Sequence, residues 1–283
     1  MDWSIIFAFA AMLSWGIGDF VIQKSTRKIG DLQTLFFIGI VGSIGLFPFV
    51  LKDLSAVSLA DITLLGVLGI ITFIAGILNF EALKQGKLSI VEVVLEIELP
   101  ITIVLSVVFF KEMLSATQMI IIGFIFIGII LIATKSFHHW KSLEKGVLWA
   151  VAATLFMGTV NFLTAAGSKA TSPMLAIWGS WLIFTLICIV AVIKRKEIPS
   201  VLNNIKKFTW LIVIMGIIDT LAWVFFAFSV FKNEVAITTA ITESYPAIAL
   251  FLGLWINKER INWHQYLGAF LALACSVLLS LTI

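Results

Sequence analysis

Three carboxylates, Glu92, Glu96 and Glu98, sit in the apolar stretch VEVVLEIELP, which ends on Pro100. An ionised acid at mid-bilayer costs ~2.5–3.5 kcal/mol on insertion scales, so such groups are kept where they border a cavity or a transport path. Asp19, Glu81, Asp219 and Glu243 also lie in apolar surroundings, and no Lys or Arg lies comparably deep. At about 100° per residue, Ser89, Glu92, Glu96 and Pro100 share one helix face, while Glu98 points nearly opposite Glu96 and reads as a packing residue. Thr239, Thr242, Glu243 and Pro246 share a second such face. Proline has no N–H and leaves a carbonyl free one turn back. Pro100 and Pro246 are therefore expected to be hinges, each offering a bend and an open acceptor beside an acid. Glu81 has Lys84 one turn away, and Glu112 and Glu259 adjoin Lys111 and Lys258; these three read as helix-end groups.

Aromatic residues recur at the same spacing. Trp15 and Asp19 are one turn apart, as are Asp219 and Trp223, and Trp178 shares a face with Trp181. The negative face of an indole beside a carboxylate suits an organic ammonium. Trp3, Trp140, Trp149, Trp210, Trp255 and Trp263 fall at the ends of apolar runs, where tryptophan anchors the interface. Asn79 with Thr72 and Gly76, and Asn161 with Thr154 and Gly158, make polar helix faces that either bind solute or bond a neighbouring helix. The expected substrate-binding set is Trp15, Asp19, Asn79, Glu92, Glu96, Asn161, Trp178, Trp181, Asp219, Trp223, Thr239 and Glu243, with Asp19 and Glu92 as proton carriers. Gly39, Gly42, Gly45, Gly123 and Gly128 read as packing glycines. Cys188, Cys275 and the histidines His138, His139 and His264 match no metal spacing, so no metal and no cofactor is expected.

The elements that position these groups follow from composition. The chain of 283 residues is 61% hydrophobic and 12% charged, with a mean hydropathy of +1.12. A soluble domain carries about twice that charge. Ten apolar runs of membrane-spanning length are legible, near 3–22, 33–51, 62–83, 88–110, 117–134, 146–166, 174–193, 209–230, 235–257 and 263–283. The first has no basic leader and no cleavage pattern, so it reads as a mature helix. The gaps are too short for a soluble domain, and the net charge of +3 is no nucleic-acid footprint. Function must lie among the helices.

Those helices repeat. Setting AMLSWGIGDF (11–20) against AATLFMGTVNF (152–162) places Gly16 on Gly158, Asp19 on Asn161 and Phe20 on Phe162. Setting 95–118 against 241–265 places Pro100 on Pro246. With one residue inserted, Lys111 and Glu112 fall on Lys258 and Glu259, and Gln118 on Gln265. The first run thus matches the sixth and the fourth matches the ninth. The expected organisation is a five-helix repeat over 1–135, a linker over 136–145 and a second repeat over 146–283. Five is odd, so the halves must enter the membrane in opposite senses, a plan recurrent among secondary transporters. The fold class is an all-α integral membrane protein of ten transmembrane helices in two inverted five-helix repeats.

A mid-helix proline, an apolar run, a Glu and then a Gln opening the next helix, present twice, resembles the EamA-type drug/metabolite transporters, as do Trp15 and Gly16. The resemblance covers the whole chain and implies a ten-helix carrier of small metabolites. The acidity of these helices departs from a typical member, so no substrate is carried over.

The residues themselves point to a secondary transporter in the plasma membrane, working by alternating access around a central acidic, aromatic cavity. Its solute would be a small amine-bearing metabolite, cationic or zwitterionic, such as an amino acid or organic ammonium. Carboxylates sharing one cavity compete for charge, and a site that holds a proton or a cation in turn meets the minimum for proton antiport. Its partners would be the lipid bilayer, the solute and protons. A carrier of neutral sugars or other metabolites is an alternative, and so is a flippase for a lipid-linked substrate. The flippase would want basic residues for phosphate within the membrane, where none is found. A membrane-embedded enzyme acting through paired acids lacks a nucleophile–His pair and any loop able to supply one.

All of the 19 basic residues except Lys52, Lys111, Lys169 and Lys232 fall in loops on one side. The positive-inside rule puts those loops in the cytoplasm and both termini outside, whereas the resemblance implies cytoplasmic termini. A cysteine added after Ile283, with Cys188 and Cys275 replaced, is expected to react with an impermeant thiol reagent in intact cells. One placed at Lys206 is expected to stay unlabelled, and the opposite pattern would show that charge does not orient this chain.

Overall fold

Runs that are apolar on every side do not suit the surface of a soluble domain. In hydrocarbon a helix closes its own backbone hydrogen bonds, which a lipid-facing loop cannot do. The computed structural model describes residues 3–86, 91, 94–95, 97–133, 146–248 and 262–282. These form α1 (Trp3–Ile29), α2 (Asp31–Val50), α3 (Leu59–Gln85), α4 (Glu98–Leu105), α5 (Ala116–Ala133), α6 (Val147–Ala170), α7 (Pro173–Lys194), α8 (Ile198–Lys232), α9 (Val235–Thr242) and α10 (Trp263–Ser280). No strand occurs among the described residues. Six helices, α1, α2, α3, α6, α7 and α8, are long and apolar enough to cross a membrane; α4 with its π-helical extension Ser106–Phe110, α5 and α10 are shorter apolar helices.

Local chemistry sets the ends. Ser58 and Asp61 form a reciprocal cap at α3. Ser172 accepts the Leu175 N–H and starts α7 ahead of Pro173. The glutamine that opens the helix after the proline run is a capping residue: Gln118 Oε1 accepts the Ser115 N–H, and Ser115 Oγ accepts the Gln118 N–H. Lys84 lies 2.9 Å from Glu81 and 3.5 Å from Asp31, a partly exposed helix-end network.

Three segments differ from the apolar-run reading. The span expected over 88–110 is interrupted, with a turn at Ile97 and a fresh helix from Glu98. Pro100 has no N–H and its ring crowds the carbonyl four residues back, which disfavours an unbroken α-helix through this turn. In the second half α9 ends at Thr242, and residues 243–245 form turns before Pro246. Residues 198–208, expected as a polar break, are helical and join the eighth span across a kink at Phe208 (φ −126°, ψ 26°).

The halves interleave. The most extensive packings are α1 on α8, α3 on α6, α2 on α7 and α5 on α10, with α1 also on α9 and α6 on α4. Each pairing crosses between halves, and exchanging the halves maps the set onto itself. Two glycines allow close crossings against the segments that carry the prolines. A Cβ at Gly16 would meet Ile248 Cβ at 2.7 Å and the Tyr245 carbonyl at 3.1 Å; at Gly158 it would meet Ile101 Cβ at 2.8 Å and the Glu98 carbonyl at 2.9 Å. Gly39, Gly42 and Gly128 likewise face close neighbours, whereas Gly45 and Gly123 have nothing within 4 Å.

The ends of the bundle repeat the pattern. Arg27 in the last turn of α1 donates to the Gly86 carbonyl at 3.0 Å. Its repeat equivalent, Lys169 in the last turn of α6, donates to the Asn233 carbonyl at 3.3 Å and sits 4.6 Å over the Phe110 ring. Glu112 does more than mark a boundary: it accepts the N–H groups of Val235 at 2.7 Å and Ala236 at 2.9 Å, capping α9 from the other half. Burial, and then the charge of Glu112, push the neighbouring Glu234 above its ordinary pKa, while Lys169 pulls it back.

Added bulk at a crossing must displace backbone. Gly16→Ala and Gly158→Ala are each expected to cost about 1–3 kcal/mol through overpacking, read as a lower melting temperature in detergent. Gly123→Ala, in open space, is expected to be neutral or to gain up to ~1 kcal/mol. Equal effects at all three positions would mean that the crossings are not tight.

Candidate functional site

Asp19 lies one turn beyond Gly16 on α1, and Asn161 one turn beyond Gly158 on α6. The two crossings therefore carry these polar groups inward together. Between them lies a cavity of ≈ 70 Å³, counted as room for water centres, or space for about five waters at ~10–15 Å³ each. It is lined from both halves, by α1, α2, α3 and α4 of the first and by α6, α7, α8 and the 243–245 turn of the second.

Of the residues expected to bind substrate, Trp15, Asp19, Asn79, Asn161, Trp181, Asp219, Trp223 and Glu243 all border this one space. Trp178 does not. It is half-buried, its Nε1 donates to the Ser43 carbonyl at 3.0 Å, and its ring lies 6.0 Å from Phe47, tying α7 to α2. Thr239 is fully buried in α9 and is not among the lining residues. Glu92 and Glu96 lie outside the described residues. Glu98 is the converse case, a residue assigned to packing that lines the cavity. The helical phase that turned it away assumed an unbroken helix through Ile97, and the break removes that assumption.

The lining is asymmetric. On α1 and α8, Asp19 and Asp219 accompany Trp15 and Trp223, whose ring centroids lie 5.2 Å apart edge to face. Trp181 joins at 5.9 Å from Trp223, and Tyr245 at 6.3 Å from Trp15. On α3 and α6 the polar groups are neutral: Thr72, Asn79 and Asn161. Matching the α3 C-cap Gly86 to the α8 C-cap Asn233 places Thr72 on Asp219 and Gly76 on Trp223. Repeat-equivalent positions thus give an acidic, aromatic wall on one side and an amide and hydroxyl wall on the other. Met157, which lines the cavity, stands where α1 carries Trp15. Repeat matching could have found it; Tyr245 had only its place before Pro246 as a signal.

Polar groups here are committed to the interior. Asn161 Nδ2 donates to Glu243 Oε1 at 3.4 Å. Asn79 Oδ1 and Trp181 Nε1 are buried with no hydrogen-bond partner among the described residues. Each such group costs about 1–3 kcal/mol unless a molecule in the cavity meets it. None of the lining residues is basic, and among the described residues no cluster suited to a metal occurs.

The model of the EamA-like transporter family matches residues 2–134 and again residues 144–281. An uncharacterised protein of Methanocaldococcus jannaschii is 33% identical over 139 residues, which is 48% of this chain and 100% of that protein. A crystal structure of a protein 13% identical in sequence superposes with a TM-score of 0.76 over 99% of both chains. That likeness is one of fold alone.

Cysteine accessibility separates lining from buried positions. With Cys188 and Cys275 replaced, Thr72→Cys and Met157→Cys are expected to react with a small methanethiosulfonate reagent in purified protein, and Thr239→Cys is expected not to. Labelling at Thr239 alone would mean the cavity lies elsewhere.

Proposed function

The chain belongs to the EamA-like transporter family, whose members carry small molecules across membranes as multi-pass proteins, and from that premise we propose that its solute bears an amine. The observation that supports this reading is the wall of Asp19, Asp219, Trp15 and Trp223, facing a cavity with no basic lining residue. An ammonium is drawn by both the carboxylates and the indole faces. The facing wall of Thr72, Asn79 and Asn161 supplies donors and acceptors for the rest of the solute, so a zwitterion or a hydroxylated amine fits better than a bare alkylammonium.

The role of the acids follows. Asp19, whose repeat equivalent Asn161 cannot ionise, is the proposed proton carrier, with Glu92 as the second. Proton and ammonium would occupy the acidic wall in turn, giving antiport as the halves rock about Pro100 and Pro246. Ten spans in two inverted repeats and a place in the plasma membrane complete the proposal. Neutral sugars are the second reading, supported by the same amides together with flat indole platforms.

A thermal-shift panel of amines, amino acids, neutral sugars and organic anions on purified protein distinguishes the two. Stabilisation by amines is expected, and stabilisation by sugars or anions alone would end the amine reading. For the best amine, Asp19→Asn and Asp219→Asn are each expected to weaken binding roughly 30-fold or more, as for loss of one partner of a desolvated charge pair. Glu98→Gln is expected to weaken it as well, because that side chain borders the cavity. Unchanged affinity in both Asp variants would remove the acids from the binding site.

A further inference from the structure

A second concavity lies at one end of the bundle, away from the central cavity. It is an open groove of ≈ 520 Å³ between α1 and the kink of α8, lined by Lys24, Lys28, Lys206, Lys207, Phe208 and Trp210 among others. The four lysines are exposed, and among the described residues none has a carboxylate within 4 Å, the ion pairs there being those of Lys84. Lys28 and Lys207 come from different helices yet reach the same ring, at 5.4 and 5.3 Å from the Phe208 centroid. One aromatic face offsets only a fraction of the repulsion between two ammonium groups. Like charges gathered at a kink, without counter-charge, fit an anion.

The surface leading away from the groove identifies which anion. On α1 the exposed apolar residues Leu13, Ile17 and Phe20 run at helical spacing up to Lys24. On α8 Leu221, Ile217, Ile214 and Trp210 run the same way up to Lys206 and Lys207, with Trp210 80% exposed. A Cβ at Gly18 would lie 3.4 Å from Ile218 across the seam between the two helices, in ordinary contact. Two apolar tracks thus descend from one basic groove, and an exposed tryptophan marks the level where headgroups begin. We propose that the groove holds the phosphate of an anionic phospholipid whose two acyl chains lie along the α1 and α8 tracks. A soluble phosphate would use the lysines but not the tracks.

The test uses purified full-length protein in detergent with three probes: dioleoyl phosphatidylglycerol, dioleoyl phosphatidylcholine and glycerol 3-phosphate. Bound lipid is counted by native mass spectrometry and by melting temperature. Phosphatidylglycerol is expected to bind and raise the melting temperature, more weakly at high salt, with the other two probes without effect. A lysine near anionic headgroups contributes a factor of about five in affinity, so the Lys206→Gln, Lys207→Gln double variant is expected to bind roughly 20-fold more weakly. Lys24→Gln with Lys28→Gln should behave alike, and Lys52→Gln with Lys232→Gln should match wild type. Equal binding of the two lipids, an equal loss in the Lys52 and Lys232 control, or a full effect of glycerol 3-phosphate would each overturn the proposal.

Discussion

Backbone meets backbone at Gly16 and at Gly158, and the position of the cavity hangs on those two contacts. Each glycine lets a long helix cross the other half's proline-broken segment, against the Tyr245 carbonyl in one case and the Glu98 carbonyl in the other. A side chain at either place would force the helices apart, because its Cβ would lie 2.7 Å from Ile248 Cβ in one case and 2.8 Å from Ile101 Cβ in the other. Asp19 and Asn161 stand one turn further along the same helices, so the approach that the glycines permit carries the polar groups inward. The breaks at Ile97 and at 243–245 matter for the same reason. Irregular backbone at membrane depth is tolerated where it lines a cavity or is buried in protein, and Glu98, Glu243 and Tyr245 beside these breaks line the cavity.

The energetics of the site are those of polar groups withheld from water. Asn161 and Glu243 share a hydrogen bond, while Asn79 Oδ1 and Trp181 Nε1 find none among the described residues. In a core meant only for stability such groups would be replaced by methyls, as they are around Ile125 and Ile129 in the α5–α10 pairing. That cluster is mostly aliphatic, with Cys275 a member and Phe126 packed against it, and no residue of α5 or α10 is among the lining residues of the cavity.

Much of this was legible in the residues. Apolar length located the long helices, and the pairs Gly16/Gly158 and Pro100/Pro246 disclosed the repeat, because halves that share a packing plan must share the small residues and breaks that permit it. Eight of the twelve expected binding residues converge on one cavity because helical spacing holds within an unbroken helix. Where the helix breaks, spacing misleads, which is why Glu98 was placed on the wrong face. Trp178 lies off the cavity because two residues on one face of α7, three apart, meet different neighbours: Trp181 meets Trp223, whereas Trp178 meets the α2 backbone. The helical 198–208 segment was missed because its lysines and asparagines look like a loop when only apolar length is counted.

The crosswise pairing of the helices has a further implication, one of parity. Two identical half-chains joined through these same faces would obey two-fold symmetry, so any acid at the position of Asp19 would come with a second at that of Asn161. Every ionisable group at the centre would arrive in duplicate, and an odd number could not be placed on the axis pair. Joining the halves in one chain lifts that rule. The sequence can then set Asp19 against Asn161 and Asp219 against Thr72, and an indole against a hydrogen where Trp223 stands against Gly76. Covalent duplication thus supplies something that association of copies cannot: a centre with a sidedness of its own.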